Sequence, residues 1–287
     1  MTALFTYSLH ASIFLLFGYL AYSLFSADAM RPRVSRILLW AVMLLSLLLP
    51  FSPAFTVFGP SETVSAPNVV AGEAAIVGID GPSVISYIIG HLPAVYAAGV
   101  AIVFVVMTYS VVRLIVMIHG GKHEAIGALT LIRLDRRQAP FSWLWFVVVG
   151  NDDDESGRDM VLAHESAHIR RRHSVDLAVA SVICALMWYN PAVWLWRRQL
   201  AMVHEYEADS DVVSEGFDMK AYQLLLIKKA VGPRLQSLAN NLTHSKLKKR
   251  ITMMSKKQSK RGALVRTLAV VPAIVGALAV VNIPAVA

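Results

Sequence analysis

Long, uninterrupted apolar runs dominate the chain. Four are long enough to cross a bilayer, which takes about 20 helical residues: 4–25, 37–58, 84–118 and 267–287. The third exceeds what a crossing needs and is expected to tilt or to project into water. Between the third and fourth runs the pattern changes. Residues 126–135, IGALTLIRLD, and 140–149, PFSWLWFVVV, are rich in β-branched and aromatic side chains. They predict two strands joined by a turn at 136–139. The stretch NDDDESGRD that follows is acidic and rich in cap residues, and it predicts a helix from about 156 to 173. A shorter apolar run, 177–189, resembles a span, but its 13 residues make only about 20 Å of helix against a hydrocarbon core of about 30 Å. Asn190-Pro191 then interrupts it, a good N-cap followed by a residue suited to the first helical position. Two helices joined at 190–191 are predicted, dipping into the inner leaflet or packed on the spans.

Composition strengthens the membrane reading. Of 287 residues, 56% are hydrophobic and 16% charged, and the mean hydropathy is +0.56. A soluble domain is nearer 45–50% apolar and about 25% charged. No cleavage pattern follows the first run; Arg31, Arg33 and Arg36 do, so it is expected to be retained as a span. The single cysteine, Cys184, excludes an internal disulfide and lies in an apolar run, where burial is expected.

Charge placement gives the orientation. From 37 to 112 there is no Lys or Arg, and the 59–83 loop carries only Glu62, Glu73 and Asp80. Nine basic residues crowd 246–266 with no acid among them. The first loop and residues 119–266 are therefore expected on the cytoplasmic face, with both termini and the 59–83 loop outside. The net charge of +8 is concentrated in these flanks. It reads as a topogenic anchor facing the lipid bilayer, and no direct nucleic-acid contact is expected.

The candidate chemistry lies in 161–176, VLAHESAHIRRRHSVD. His164 and His168 are four apart, so on a helix they project from one face, one turn apart. Two imidazoles there can grip one Zn²⁺ at about 2.0–2.1 Å. Glu165, beside the first ligand, can reach a water on the metal and take its proton. With 9 histidines in the chain, the His-Glu-x-x-His pattern is expected about 0.01 times by chance. A catalytic zinc wants a third protein ligand and an open position. VHEYEAD, 203–209, supplies candidates. Glu205 and Asp209 are four apart; Glu205 can complete a His₂Glu set and Asp209 can accept the second N–H of a ligand histidine. Glu207, with Asp211 four residues on, and His204 remain alternatives, His204 being expected to face solvent. All these groups must lie on one side of the membrane, which a helical hairpin over 177–209 permits.

The stretches HESAHIRRRHSVD, WYNPAVWLWRRQLAMVHEYEAD, GFDMKAYQLLL and NLTHSKLKKRITMM resemble the BlaR/MecR antirepressor family of membrane zinc metallopeptidases, in its Bacteroidetes-like form. The resemblance implies a gluzincin fold with His164, His168 and Glu205 as zinc ligands, Glu165 as general base and Asp209 supporting a ligand. It implies a mainly α, polytopic protein of the bacterial cytoplasmic (inner) membrane. Its parts would be a three-helix transmembrane region at 1–118, a cytoplasmic α+β metallopeptidase domain at 119–262 and a fourth transmembrane helix at 263–287. THSKLKKRI is similar to the Thr-His-Pro…Arg-Ile segment of HtpX-type membrane proteases, in which a histidine at the place of His244 steadies the oxyanion; Ser245 replaces the proline here. Antirepressors of this family carry a sensor or TonB-like domains after the last span. The sequence given stops at Ala287, so the 59–83 loop is the segment expected to meet an external ligand.

Three functions follow as expectations. The first is a zinc endopeptidase cleaving itself or a cytoplasmic protein substrate such as a winged-helix transcriptional repressor in signal transduction. The second is membrane-protein quality control of the HtpX kind, and the third is a non-catalytic signalling relay. A homodimer is left open.

Overall fold

A computed structural model of the chain describes residues 2–25, 31–51, 84–126, 129–136, 138–151, 157–231 and 240–256. The expected fourth span, the 59–83 loop and the basic run beyond 256 lie outside the described residues. Among the described residues the protein is mainly helical with one small sheet.

The first two apolar runs form α1 (Thr2–Phe25) and α2 (Pro32–Leu48), the latter closed by a 3₁₀ turn at Leu49–Phe51. They pack closely because Gly18 has no side chain: a Cβ there would lie 2.7 Å from Val42 Cγ1. The third run is one helix, α3 (Val84–His119), whose 36 residues make about 54 Å. Among the described residues three helices are thus long and apolar enough to cross a membrane: Thr6–Leu24, Pro32–Phe51 and Gly90–His119.

The sheet follows α3. Its strands are β1 (Lys122–Ile126), β2 (Leu129–Leu134), β3 (Phe141–Trp143) and β4 (Phe146–Gly150), in the order β1-β2-β4-β3. β1 runs antiparallel to β2, β2 parallel to β4, and β3 antiparallel to β4. Alternation sends side chains to opposite faces. Leu131, Val147 and Val149 pack on Leu162 and Ile169, while Ile132, Leu134 and Val148 pack on Ile118, Leu114 and Met117. The sheet therefore lies between the end of α3 and the helix that carries the histidines.

Two expectations are corrected here. The stretch 140–149 is a hairpin rather than one strand. Leu144 turns it in a left-handed conformation (φ 54°), and its N–H donates to Ser174 Oγ at 3.2 Å. No glycine or asparagine marks this turn, because a distant hydroxyl supports it. The helix expected over 156–173 is α4, Arg158–Arg170. It opens after Gly157 (φ 91°) and stops where Arg172 adopts φ 55°, so that His173 starts a new helix, α5 (His173–Leu186).

Asn190 and Pro191 then act as their types require. Asn190 Oδ1 accepts from Ala192 N at 2.9 Å, and Pro191 opens α6 (Pro191–Ser214). The α5–α6 hairpin packs on α1 and α2. Leu15, Tyr22, Leu39, Met43, Ala180, Cys184, Trp196 and Leu200 share one core, with Cys184 buried as expected. The Trp196 indole donates to Leu39 O at 2.8 Å. On the far side of α5, a Cβ at Gly99 of α3 would lie 2.1 Å from the Trp188 ring. α7 (Met219–Val231) and α8 (Asn240–Ser255) complete the described chain.

Candidate metal centre

α4 and α6 lie against each other, and their facing sides carry the charged residues that the sequence singles out. His164 and His168 sit one turn apart with ring planes at 82°. Their Nε2 atoms are 3.2 Å apart. Glu205 on α6 reaches both, Oε2 to His164 Nε2 at 3.5 Å and Oε1 to His168 Nε2 at 3.6 Å. Two ligands at about 2.0–2.1 Å from a tetrahedral zinc are about 3.3 Å apart, so the donor atoms already have the spacing such an ion needs. Among the described residues these three are the group of His, Cys, Asp or Glu side chains close enough to share a metal.

The electrostatics of His168 and Glu205 suit that role. Burial, with His164 close by, depresses His168 to about 3, leaving it a neutral imidazole with a lone pair to give. Burial alone would raise the Glu205 carboxyl. Its hydrogen bond to His164 and the Arg250 charge outweigh this and hold it well below the usual carboxylate range. Burial acts on His164 in the lowering direction, but Glu205 and Asp209 prevail and raise it. Glu165 is buried beside His164, and burial raises its carboxyl despite His164 and a hydrogen bond from Ser142 of β3.

Behind His164 stands a polar chain. His164 Nδ1 lies 2.9 Å from Tyr222 Oη and 3.4 Å from Asp209 Oδ1. The Tyr222 hydroxyl donates to Asp209 Oδ1 at 2.8 Å. Arg250 of α8 grips the same carboxylate at 2.9 and 2.5 Å and also reaches Glu205 Oε2 at 2.9 Å. Asp209 thus supports His164 mainly through a phenol. Tyr222 and Arg250 were not singled out by the sequence reading, although both lie in stretches quoted for the resemblance. Neither is adjacent in sequence to the motif, and no periodic pattern connects them to it.

The alternatives sit elsewhere. Glu207 accepts from His173 Nε2 at 2.9 Å and from Arg36 Nη1 at 3.2 Å. His204, expected to face solvent, is buried instead: it stacks on His173 with ring centroids 4.1 Å apart, and its Nε2 lies 3.0 Å from Asp176 Oδ2. Its place on the face of α6 that packs on α5 encloses it. His244 falls in the first turns of α8, and its side chain lies outside the described residues.

A half-buried His/Glu cluster beside a buried carboxylate, on a chain with three span-length helices among its described residues, has the features of a membrane-associated metallopeptidase. Residues 140–254 match the BlaR1 peptidase M56 family, and that stretch holds the whole cluster. The resemblance carried by the sequence motifs is thereby borne out. No curated protein matches the chain.

Proposed function

We propose that the chain is a zinc endopeptidase of the bacterial inner membrane that cleaves a cytoplasmic regulator, a winged-helix repressor being the substrate that fits the family resemblance. In this reading a gluzincin-type domain over 119–262 faces the cytoplasm between the third span and a fourth at 263–287. The observation that carries it is the convergence of His164 Nε2, His168 Nε2 and Glu205 at tetrahedral spacing, with the Glu165 carboxyl buried alongside.

A divalent ion held by His164, His168 and Glu205 would supply Lewis acidity. The chain's own residues do the rest. Glu165 accepts the proton of the attacking water and passes it to the leaving amine. Its raised carboxyl is a stronger base than an exposed glutamate. β3 is an edge strand that packs on α4, so a peptide adding to that edge would bring its backbone alongside Glu165. His244, from its place in the sequence, is the proposed donor to the oxyanion.

The test is Glu165→Gln, which keeps shape and ligands but cannot accept the proton. Coexpressed with a winged-helix repressor, if one is encoded beside it, wild type should shorten the repressor on a gel. The variant should keep its metal and cleave about 10²–10⁴-fold more slowly. Equal cleavage by both proteins would remove Glu165 from the chemistry, and no cleavage by either would favour a signalling relay.

A further inference from the structure

The break between α4 and α5 gives His168 a partner that a continuous helix would not. Five residues apart on one helix, His168 and His173 would point about 140° from each other, at about 100° per residue. Because Arg172 is left-handed, α5 turns back and the two Nδ1 atoms lie 2.8 Å apart. From there the chain of contacts continues, His173 Nε2 to Glu207 Oε2 at 2.9 Å and Glu207 Oε2 to Arg36 Nη1 at 3.2 Å. Arg171 Nη1 adds a longer contact to Glu207 at 3.8 Å. Arg36 lies in the first turns of α2, and Asp176 Oδ2 holds its Nε at 2.7 Å.

We propose that His173 and Glu207, anchored by Arg36, are positioning residues for the metal ligand His168, fixing which of its nitrogens carries the proton and the plane of its ring. The inference rests on His168 being a ligand, as proposed above. The protons then have one consistent arrangement. His168 Nε2 faces His164 and Glu205 and must offer a lone pair, so His168 Nδ1 bears the hydrogen. That hydrogen goes to His173 Nδ1, which accepts. His173 therefore carries its own hydrogen on Nε2 and donates it to the Glu207 carboxylate, whose charge the guanidinium of Arg36 balances. Every donor in the series has one acceptor. Stacking of His204 on His173, at 11° between the ring planes, holds the intermediate ring in line.

The arrangement parallels the support of His164. There Nδ1 meets Tyr222, Tyr222 meets Asp209, and Arg250 closes the series from α8. Each ligand histidine is thus backed by an intermediary ring, a carboxylate of α6 and an arginine. One arginine comes from α8 and the other from a span. Removing outer hydrogen-bond partners of ligand histidines typically costs about 10–100-fold in metal affinity.

The experiment measures zinc affinity of the full chain in detergent, by competition with a chromophoric chelator, together with the visible spectrum of the cobalt-substituted protein. In His173→Phe the ring still stacks on His204 but cannot accept from His168. In His173→Asn the Oδ1 atom stands where Nδ1 stood and can accept. Affinity should fall about 10–100-fold in His173→Phe and recover in part in His173→Asn, with the cobalt bands displaced in the former and near wild type in the latter. Equal affinity in wild type and His173→Phe, or equal losses in the two variants, would overturn the proposal and leave the metal site standing. Absence of stoichiometric zinc in wild type would overturn both. If His173→Phe does not fold, Glu207→Gln decides: it keeps an acceptor for His173 but loses the charge, and about a tenfold loss supports the relay while none rejects it.

Discussion

At the scale of single residues, the two carboxylates behind the proposed ligand histidines differ from the proposed ligand Glu205 in what they hold. Asp209 is almost wholly enclosed and binds both Tyr222 and Arg250. Asp209→Ala would leave the half-buried Arg250 guanidinium with Glu205 as its counter-charge, so the loss should approach, without exceeding, the about 3–5 kcal/mol typical of breaking a fully buried pair. Tyr222→Phe removes only the phenol between His164 and Asp209, while Arg250 still neutralises the acid. Both variants should bind zinc more weakly, but only Asp209→Ala should also melt well below wild type in the metal-free state; equal melting of the two would contradict the burial argument. The motif residues were legible because spacing on a helix is a local property. Glu205 and Asp209 were legible for the same reason, while the choice between Glu205 and Glu207 was not. Both acids have a partner four residues on, and only the packing of α6 on α4 and α5 turns one to the histidines and the other to His173. Tyr222 and Arg250 come from separate helices, and nothing in the sequence near the motif refers to them.

At the scale of elements, the junctions carry most of the specificity. Asn190 caps α6 from a buried position, so Asn190→Ala should cost about 0.5–2 kcal/mol, read as a lower unfolding temperature with unchanged zinc stoichiometry. Asp176 ties α5 to α2 through Arg36 and Trp40 and to α6 through His204. Burial would raise its carboxyl, but His204, Arg36 and Trp40 together hold it well below the usual aspartate value of 3.8. A carboxyl depressed in the folded state stabilises above its unfolded value and loses that contribution as pH falls through the folded one. Metal-free protein should therefore lose stability progressively below about pH 4. Asp176→Asn should lower the unfolding temperature near neutral pH and flatten this acid slope; an unchanged slope would mean that Asp176 gains nothing from its partners. The cap at Asn190 could be read in advance because Asn-Pro is a local signal. The stop at Arg172 and the turn at Leu144 could not, because neither residue favours a left-handed backbone and both are held there by the elements around them.

At the scale of the whole molecule, the hairpin of α5 and α6 lets a chain with span-length helices assemble a polar site. α6 shares a core with α1 and α2 along its first half and presents Glu205, Glu207 and Asp209 along its second. The runs of apolar residues and the short length of 177–189 made this division legible; the pairing of Arg36 with Glu207, 171 residues apart, was not, since it depends on how a span meets the hairpin. If both halves of the cluster face the cytoplasm, a cysteine at Ser214 in a Cys184→Ser background should react with an impermeant maleimide only after the membrane is opened. Labelling from outside intact cells would reverse the proposed orientation. The central claim is that His164, His168 and Glu205 together hold one ion. It is tested most directly by the metal content of the purified full chain, wild type against Glu205→Ala, compared at equal folding. Wild type should carry about one zinc per chain, and Glu205→Ala should lose most of it. Full occupancy in Glu205→Ala would contradict the claim.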